Sequence, residues 1–403
     1  MSRSNAAAAL LFRRKGDGST LNLDFTGGSL DSRVVLTRSA ATATYINSSG
    51  YVASAAVNEA RFDYDPTTLA AKGLLIEGQG INLLKYSVYA DTNWLIAGGY
   101  TKSYTTGITS PANDATAARI TFSAVGHGLF TSAPTMGYTN SVGSVYTWSA
   151  WIRATANTTN LNIRFGDSAV GLGSNIPIST TWTRYSYSYT ATSTSGPYLA
   201  SASGTATGEF EMWGFQLEIG SAASSYIPTT TSQVTRNPDL ALMTSTNFSS
   251  WFTGGTTGTF FVDWHGGVRG ITSTIRTVIS TDDLSTKHLH LQQVSAAGVL
   301  KVADFGAAHS VSTANSITSG ARTKGAFNFV GSTSTVNLCL NGGTVATSSA
   351  IAFSVAPTWL VLGGTSTDGS TLTDLTTVLN GSIRQIKYYP TALTSAQLIA
   401  MTT

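Results

Sequence analysis

Apolar and polar positions alternate along this chain in short runs separated by turn residues. Such a period of two puts successive side chains on opposite faces of a strand, so each run predicts a half-buried β-strand. Between residues 81 and 232 the runs fall at 118–123, 146–154, 161–165, 181–190 and 209–219. Further on, residues 259–264, 288–293, 326–330, 336–340, 359–362 and 382–388 alternate or run apolar. Asn341-Gly342 marks the strand before it as one arm of a hairpin, because both residues tolerate the positive φ of a type I′ turn. Strands and turns at this spacing predict an all-β chain of two antiparallel β-sandwiches. A minor helix is expected at each end, at 5–12 (NAAAALLF) with Asn5 as N-cap and at 393–401 with Thr394 as N-cap.

The pattern divides the chain into sections. Residues 1–80 hold only short alternating segments, at 21–25 and 33–37, and a GLLIE run at 73–77. That is too little apolar material for a separate core, so this section is expected to dock on another domain or chain. Residues 81–232 and 245–403 each read as one sandwich, and residues 233–244 as the linker between them. No heptad repeat predicts a coiled-coil stalk.

Composition narrows the reading. Charged residues make up 11% of the chain, against roughly 25% in ordinary domains. Polarity comes instead from Ser, Thr, Asn and 40 glycines, which suits strands and turns. A net charge of +3 with scattered basic residues gives no basic stripe, so nucleic acid is not an expected partner. The basic residues Arg13, Arg14 and Lys15 follow the 5–12 run, the reverse of a secretory signal, and that run is too short for a bilayer. Membrane insertion is therefore not expected. The single cysteine, Cys339, cannot form an internal disulfide and reads as a buried strand thiol. A chain assembled in a reducing cytoplasm would carry no disulfide framework.

Catalysis finds little support. Glycoside hydrolysis needs two carboxyls flanking the bond, yet no glutamate occurs from Ile219 to Thr403. Glu209 and Glu211 share a strand face, with Cα atoms roughly 6.5–7 Å apart by strand rise, and read more simply as a solvated strand end. No nucleophile elbow is present. His288 and His290 share a strand face but lack an evident third ligand, so no metal site is assigned. Sandwiches of this type are compatible with a structural calcium, for which no ligand set is legible. No cofactor is expected.

Alternation does suggest a binding face. With Trp148, Ala150 and Ile152 facing the core, Trp151 and Arg153 point outward; with Phe215, Leu217 and Ile219 inward, so do Gln216 and Glu218. An aromatic plate beside planar polar groups is suited to a sugar ring and its hydroxyls. The competing structural reading pairs Arg153 with Glu218 and covers the face with residues 1–80. Trp264, His265 and Arg269 form a weaker candidate set, Trp264 also reading as core.

Two segments carry a family resemblance. FDYDP at 62–66, GLLIE at 73–77 and NLLKYS at 82–87, followed by QLEIG at 216–220, SYIPT at 225–229 and Thr235-Arg236, resemble a module of tailed-bacteriophage tail-fibre and minor structural proteins. The module implies a jelly roll similar to carbohydrate-binding modules over roughly residues 20–240. GTFFV at 258–262, the LCLNGG hairpin and the closing NGSIRQIKYYP resemble a concanavalin A-like or laminin-G-like sandwich. The resemblance implies a virion protein, assembled in the host cytoplasm and acting outside the cell. On this reading residues 1–80 attach to other virion proteins and support a homo-oligomer, a trimer by analogy with fibres. The sandwiches then bind host surface glycan without catalysis. The alternatives are a capsid decoration, neck or baseplate component with no glycan binding and, third, a polysaccharide depolymerase.

Overall fold

The computed structural model describes residues 17–39, 43–88, 95–97, 102–122, 128–130, 138–155, 162–167, 171–172, 176–194, 197–201, 208–266, 275–282, 289–294, 299–304, 309–314, 317–318, 320–351 and 357–403. Strands dominate, every ladder between them is antiparallel, and the sheets pack as two sandwiches. The expected all-β class is what the chain adopts.

In the first sandwich, one sheet runs Thr183–Thr190, Val145–Ala154, Gly208–Ile219, Ala117–Phe122, Lys102–Ile108. The other is built around Asn162–Asp167, Pro197–Ser201, Gly128–Phe130 and Leu95–Ala97. Trp148, Ala150, Ile152, Phe210, Met212, Phe215 and Leu217 are buried between them; alternation predicts the first three and the last two, whereas Phe210 and Met212 reach the same core across a register shift. Ile219 departs from the expected pattern: at the strand end it is 49% exposed.

The second sandwich is larger than the sequence division allows. Its first sheet runs Ala346–Ser348, Thr335–Leu340, Arg322–Val330, Thr257–His265, Gly381–Tyr389, Ala71–Ile76, Phe62–Tyr64, with Leu21–Asp24 also paired to Gly381–Tyr389. The opposing sheet runs Val35–Thr37, Leu240–Thr244, Trp359–Leu362, Ile275–Asp282, Leu289–Val294, Val299–Asp304, Ser310–Ser312. Strands from residues 1–80 are thus members of both sheets. Leu21, Leu23, Leu36, Leu74 and Ile76 share one core with Phe260, Val262, Trp264 and Ile383. Residues 1–80 are therefore not a separate segment among the described residues. Too sparse for a core of their own, they complete one begun elsewhere.

The expected linker is corrected as well. Val234–Arg236 pairs with Gly80–Asn82, and Leu240–Thr244 is an interior strand whose Ala241 and Met243 are fully buried. The chain leaves the second sandwich after Asn82 and returns at Val234, so the jelly roll is an insertion held at its root by that two-stranded ladder.

The Asn341-Gly342 turn has φ of 46° and 68°, and its second arm is Ala346–Ser348. Ser395–Thr402 forms the closing helix, with Thr394 and Gln397 in a reciprocal capping box. A second short helix, Ser245–Ser249, packs Phe248 against Trp251. The helix expected at 5–12 lies outside the described residues.

Candidate functional site

Two of the expected sugar contacts are engaged within the fold. Gln216 is fully buried: its Nε2 donates to Glu218 Oε2 at 2.6 Å and its Oε1 accepts from the Ile227 amide at 2.7 Å. Glu218 accepts from the Ser224 amide at 2.6 Å and the Ser224 hydroxyl at 2.5 Å. The two side chains hold residues 224–227 against the sheet. Arg153 pairs with Glu211, not Glu218, and lies 4.6 Å over the Trp182 ring. Trp151 is only 6% exposed, enclosed by Trp213, Tyr226 and Val52 of the N-terminal hairpin, whose arms are Ala43–Ile46 and Val52–Ala55. The four residues therefore do not form one open groove.

The register explains why Arg153 pairs with Glu211 and not with Glu218: the two stand directly opposite each other. Ser149 opposes Gln216, but Trp151 opposes Trp213, so Gly208–Ile219 carries an extra residue there. Gly214 occupies it with φ of 69°, and a Cβ would approach the Trp151 ring to 2.8 Å. Such a bulge re-aims side chains on either side of it.

The root of the inserted domain is a buried charge network. Arg61 donates to Glu77 at 2.7 Å and also to Asp239; Arg38 donates to Asp239 at 2.9 Å. Asp239 also accepts the Glu77 amide at 2.9 Å, and Ser225 of the jelly roll donates its hydroxyl to Glu77 at 2.6 Å. Nearby, Asn82 donates to the carbonyls of Phe215 and Ile227 and accepts from the Leu84 and Leu217 amides. Much of the motif chemistry in GLLIE and NLLKYS is thus joinery between the two sandwiches.

Where the N-terminal hairpin meets the jelly-roll sheet, a cleft of about 360 Å³ remains. Its wall includes Trp151, Trp182 and Arg184 from the sheet, and Tyr45, Asp63 and Lys72 from the N-terminal strands. Arg184 lies 4.6 Å over the Trp151 ring and is steered by donation to the Ser224 carbonyl at 2.7 Å and the Ser149 hydroxyl at 3.0 Å. Trp182 is partly exposed, with its indole N–H on the Thr109 carbonyl at 3.3 Å. Asp63 accepts the Ile46 amide at 2.9 Å through Oδ1. Burial holds the Asp63 carboxyl above the usual carboxylate range, with Glu77 adding to the rise and Lys72 and Arg61 opposing it. The cleft thus combines aromatic rings with donors and acceptors of both signs.

Of these residues the sequence reading named only Trp151 as a contact. Trp182 lies just before the strand Thr183–Thr190 that carries Arg184, outside the alternation that could have marked the two as sharing a face. Asp63 and Lys72 come from strands more than a hundred residues before Trp182 and Arg184, and no local pattern could place them here.

The remaining candidates separate. Trp264 is fully buried in the core of the second sandwich, with His265 at the strand end beside the Gly320 carbonyl. Arg269 and His288 lie outside the described residues. His290 is buried against Asp282 at 3.2 Å. Glu211 is engaged by Arg119 at 2.5 Å and by Arg153, so the Glu209–Glu211 pair is not a solvated strand end.

No family model matches the chain, and no curated protein does. Among solved structures, the chain is similar to the CBM40 of the Ruminococcus gnavus IT-sialidase bound to α2,3-sialyllactose, at 19% identity and a TM-score of 0.31. That match covers 37% of this chain and 83% of the other. It is also similar to the CBM22-1 xylan-binding domain of Paenibacillus barcinonensis Xyn10C, at 14% identity and a TM-score of 0.28, over 37% of this chain and 99% of that one. Just over a third of the chain thus has partial structural counterparts among carbohydrate-binding modules.

Proposed function

We propose that this chain is a tailed-bacteriophage virion protein, a tail fibre or spike component, that binds a host surface glycan without cleaving it. The observation that carries the binding reading is the cleft between the N-terminal strands and the jelly-roll sheet. Its Trp182 indole supplies an apolar plate for a pyranose face, and Asp63, Lys72 and Arg184 supply planar or charged partners for hydroxyls. The phage setting rests on the FDYDP, GLLIE, NLLKYS, QLEIG and SYIPT order in the sequence. Arrayed copies would turn weak individual sites into firm attachment.

The non-catalytic reading is supported by the engagement of Glu211 with two arginines and by the absence of glutamate beyond Glu218. The test is binding of the full chain to host cells, with purified surface polysaccharide as competitor and an assay for new reducing ends. Saturable binding that polysaccharide displaces, with no new reducing ends, is expected. Failure to bind in multimerised form would favour a structural particle component, and new reducing ends would make the chain a depolymerase.

A further inference from the structure

On the other side of the insertion root lies a second cavity, of about 300 Å³, sharing no lining residue with the cleft. It is lined by Glu218 and Ser221 of the jelly roll, Arg236 of the returning strand, and Arg276, Leu375 and Asn380 of the second sandwich. Its volume is at the lower end of the roughly 300–1,000 Å³ usual for small-molecule sites.

Arg236 is the unusual member. Its side chain is 1% exposed, yet among the described residues its Nε and Nη1 have no hydrogen-bond partner. Glu77 lies 3.6 Å from Nη1 but is already engaged by Arg61 and Ser225. Asp239 is engaged by Arg38 and Arg61. Burial, reinforced by the neighbouring Arg61 charge, depresses the Arg236 guanidinium below its ordinary value. A buried guanidinium with one 3.6 Å ion pair and too few hydrogen-bond acceptors is unfavourable, and a further anion or acceptor would relieve it. Arg276, 3% exposed, adds a second cation to the lining, its Nη1 already held by the Ile275 and Thr376 carbonyls.

The neutral and acidic groups indicate what else a ligand would carry. Glu218 Oε1 and Oε2 together accept three hydrogen bonds, whereas a carboxylate has about four acceptor positions. Asn380 accepts the Gly78 amide at 2.8 Å through Oδ1 and retains its amide donors for a ligand oxygen. A bare anion would leave these groups unused. An anion on a hydroxyl-bearing ring would engage both kinds.

We propose that this cavity binds a carboxylate-bearing monosaccharide unit, of the uronic acid class, with Arg236 and Arg276 toward the carboxylate and Glu218 and Asn380 toward hydroxyls. Bidentate geometry makes arginine the fitting residue for such a carboxylate. The site is independent of the cleft, so its failure leaves the cleft reading standing.

The test is calorimetric titration of the full chain with D-glucuronate, with D-glucose as the uncharged analogue and acetate as the bare carboxylate. Saturable glucuronate binding, at least tenfold tighter than either control, is expected. Because substitution of buried Arg236 could unfold the chain, two other variants carry the test. Leu375→Glu places a negative charge at a rim position that is 47% exposed. Asn380→Asp places one inside, at a residue whose φ of 50° aspartate also tolerates. Each should weaken glucuronate at least tenfold while leaving the thermal transition cooperative. No glucuronate binding, equal binding of glucose or acetate, or full binding by both variants would overturn the proposal.

Discussion

Arg38 donates from Nη1 to the Asp239 carboxylate at 2.9 Å, and neither side chain is reached by solvent. The two residues stand 201 positions apart, on opposite sides of the inserted jelly roll. Arg61 joins the same carboxylate and extends the network to Glu77. The root of the insertion is thus fixed by charge pairing in a dry environment, where a missing partner is costly.

Asp239→Ala should therefore destabilise the second sandwich strongly. It strips a partner from Arg38 and Arg61 and leaves the Glu77 amide without its acceptor. Breaking a buried pair from one side costs about 3–5 kcal/mol. Urea unfolding followed by circular dichroism measures it. A loss below about 1 kcal/mol, the range of exposed pairs, would mean that the network is not a structural anchor.

A chain beginning at residue 81 should not fold its second sandwich. It lacks Leu21–Asp24, Val35–Thr37 and Ala71–Ile76, and so exposes the strands and core faces they cover. Replacing residues 83–233 by an Asn-Gly turn should instead preserve a cooperative melt, because Asn82 and Val234 are already paired. If the first protein melted as the intact chain does, residues 1–80 would be a separable appendage.

Gly214→Ala should cost about 1–3 kcal/mol, the usual range for a residue held in a sparsely populated conformation. Its φ of 69° is one reason and the Trp151 ring against the new Cβ is the other. Thermal melting reports the loss and tryptophan fluorescence the disturbed ring. Wild-type values for both would show that the bulge tolerates a side chain.

Asp63→Asn should stabilise the protein at neutral pH. Burial raises the Asp63 carboxyl above its ordinary value, so the fold favours its protonated form. A group raised in this way contributes fully below its unfolded value and loses that contribution as the pH climbs through its folded value. Asparagine keeps the acceptor for the Ile46 amide without the buried charge. The gain in melting temperature should shrink as pH falls into the ordinary carboxylate range; a gain independent of pH would contradict the assignment.

Local pattern made most strands legible. Those at 145–154, 208–219 and 381–389 fall within a residue of expectation because alternation is a local property. The fate of residues 1–80 was only half legible. Their shortage of apolar side chains indicated docking, but their place in both sheets depends on pairing across long separations, 363 residues for Leu23 with Ile386. Gln216 and Glu218 were placed on the correct face, yet nothing local indicated that residues 224–227 would fold back over them. The cleft was legible only through Trp151, because its other wall comes from Asp63 and Lys72.

The most direct test of glycan binding in the cleft is the affinity of the full chain for purified host surface polysaccharide, before and after Trp182→Ala. Trp182 is partly exposed and lines the cleft, so its removal should spare the fold. Loss of one sugar–aromatic contact, about 0.5–1.5 kcal/mol, predicts affinity weaker by up to roughly tenfold with a thermal transition that stays cooperative. Unchanged affinity in the folded variant would contradict the assignment of the cleft as the glycan site.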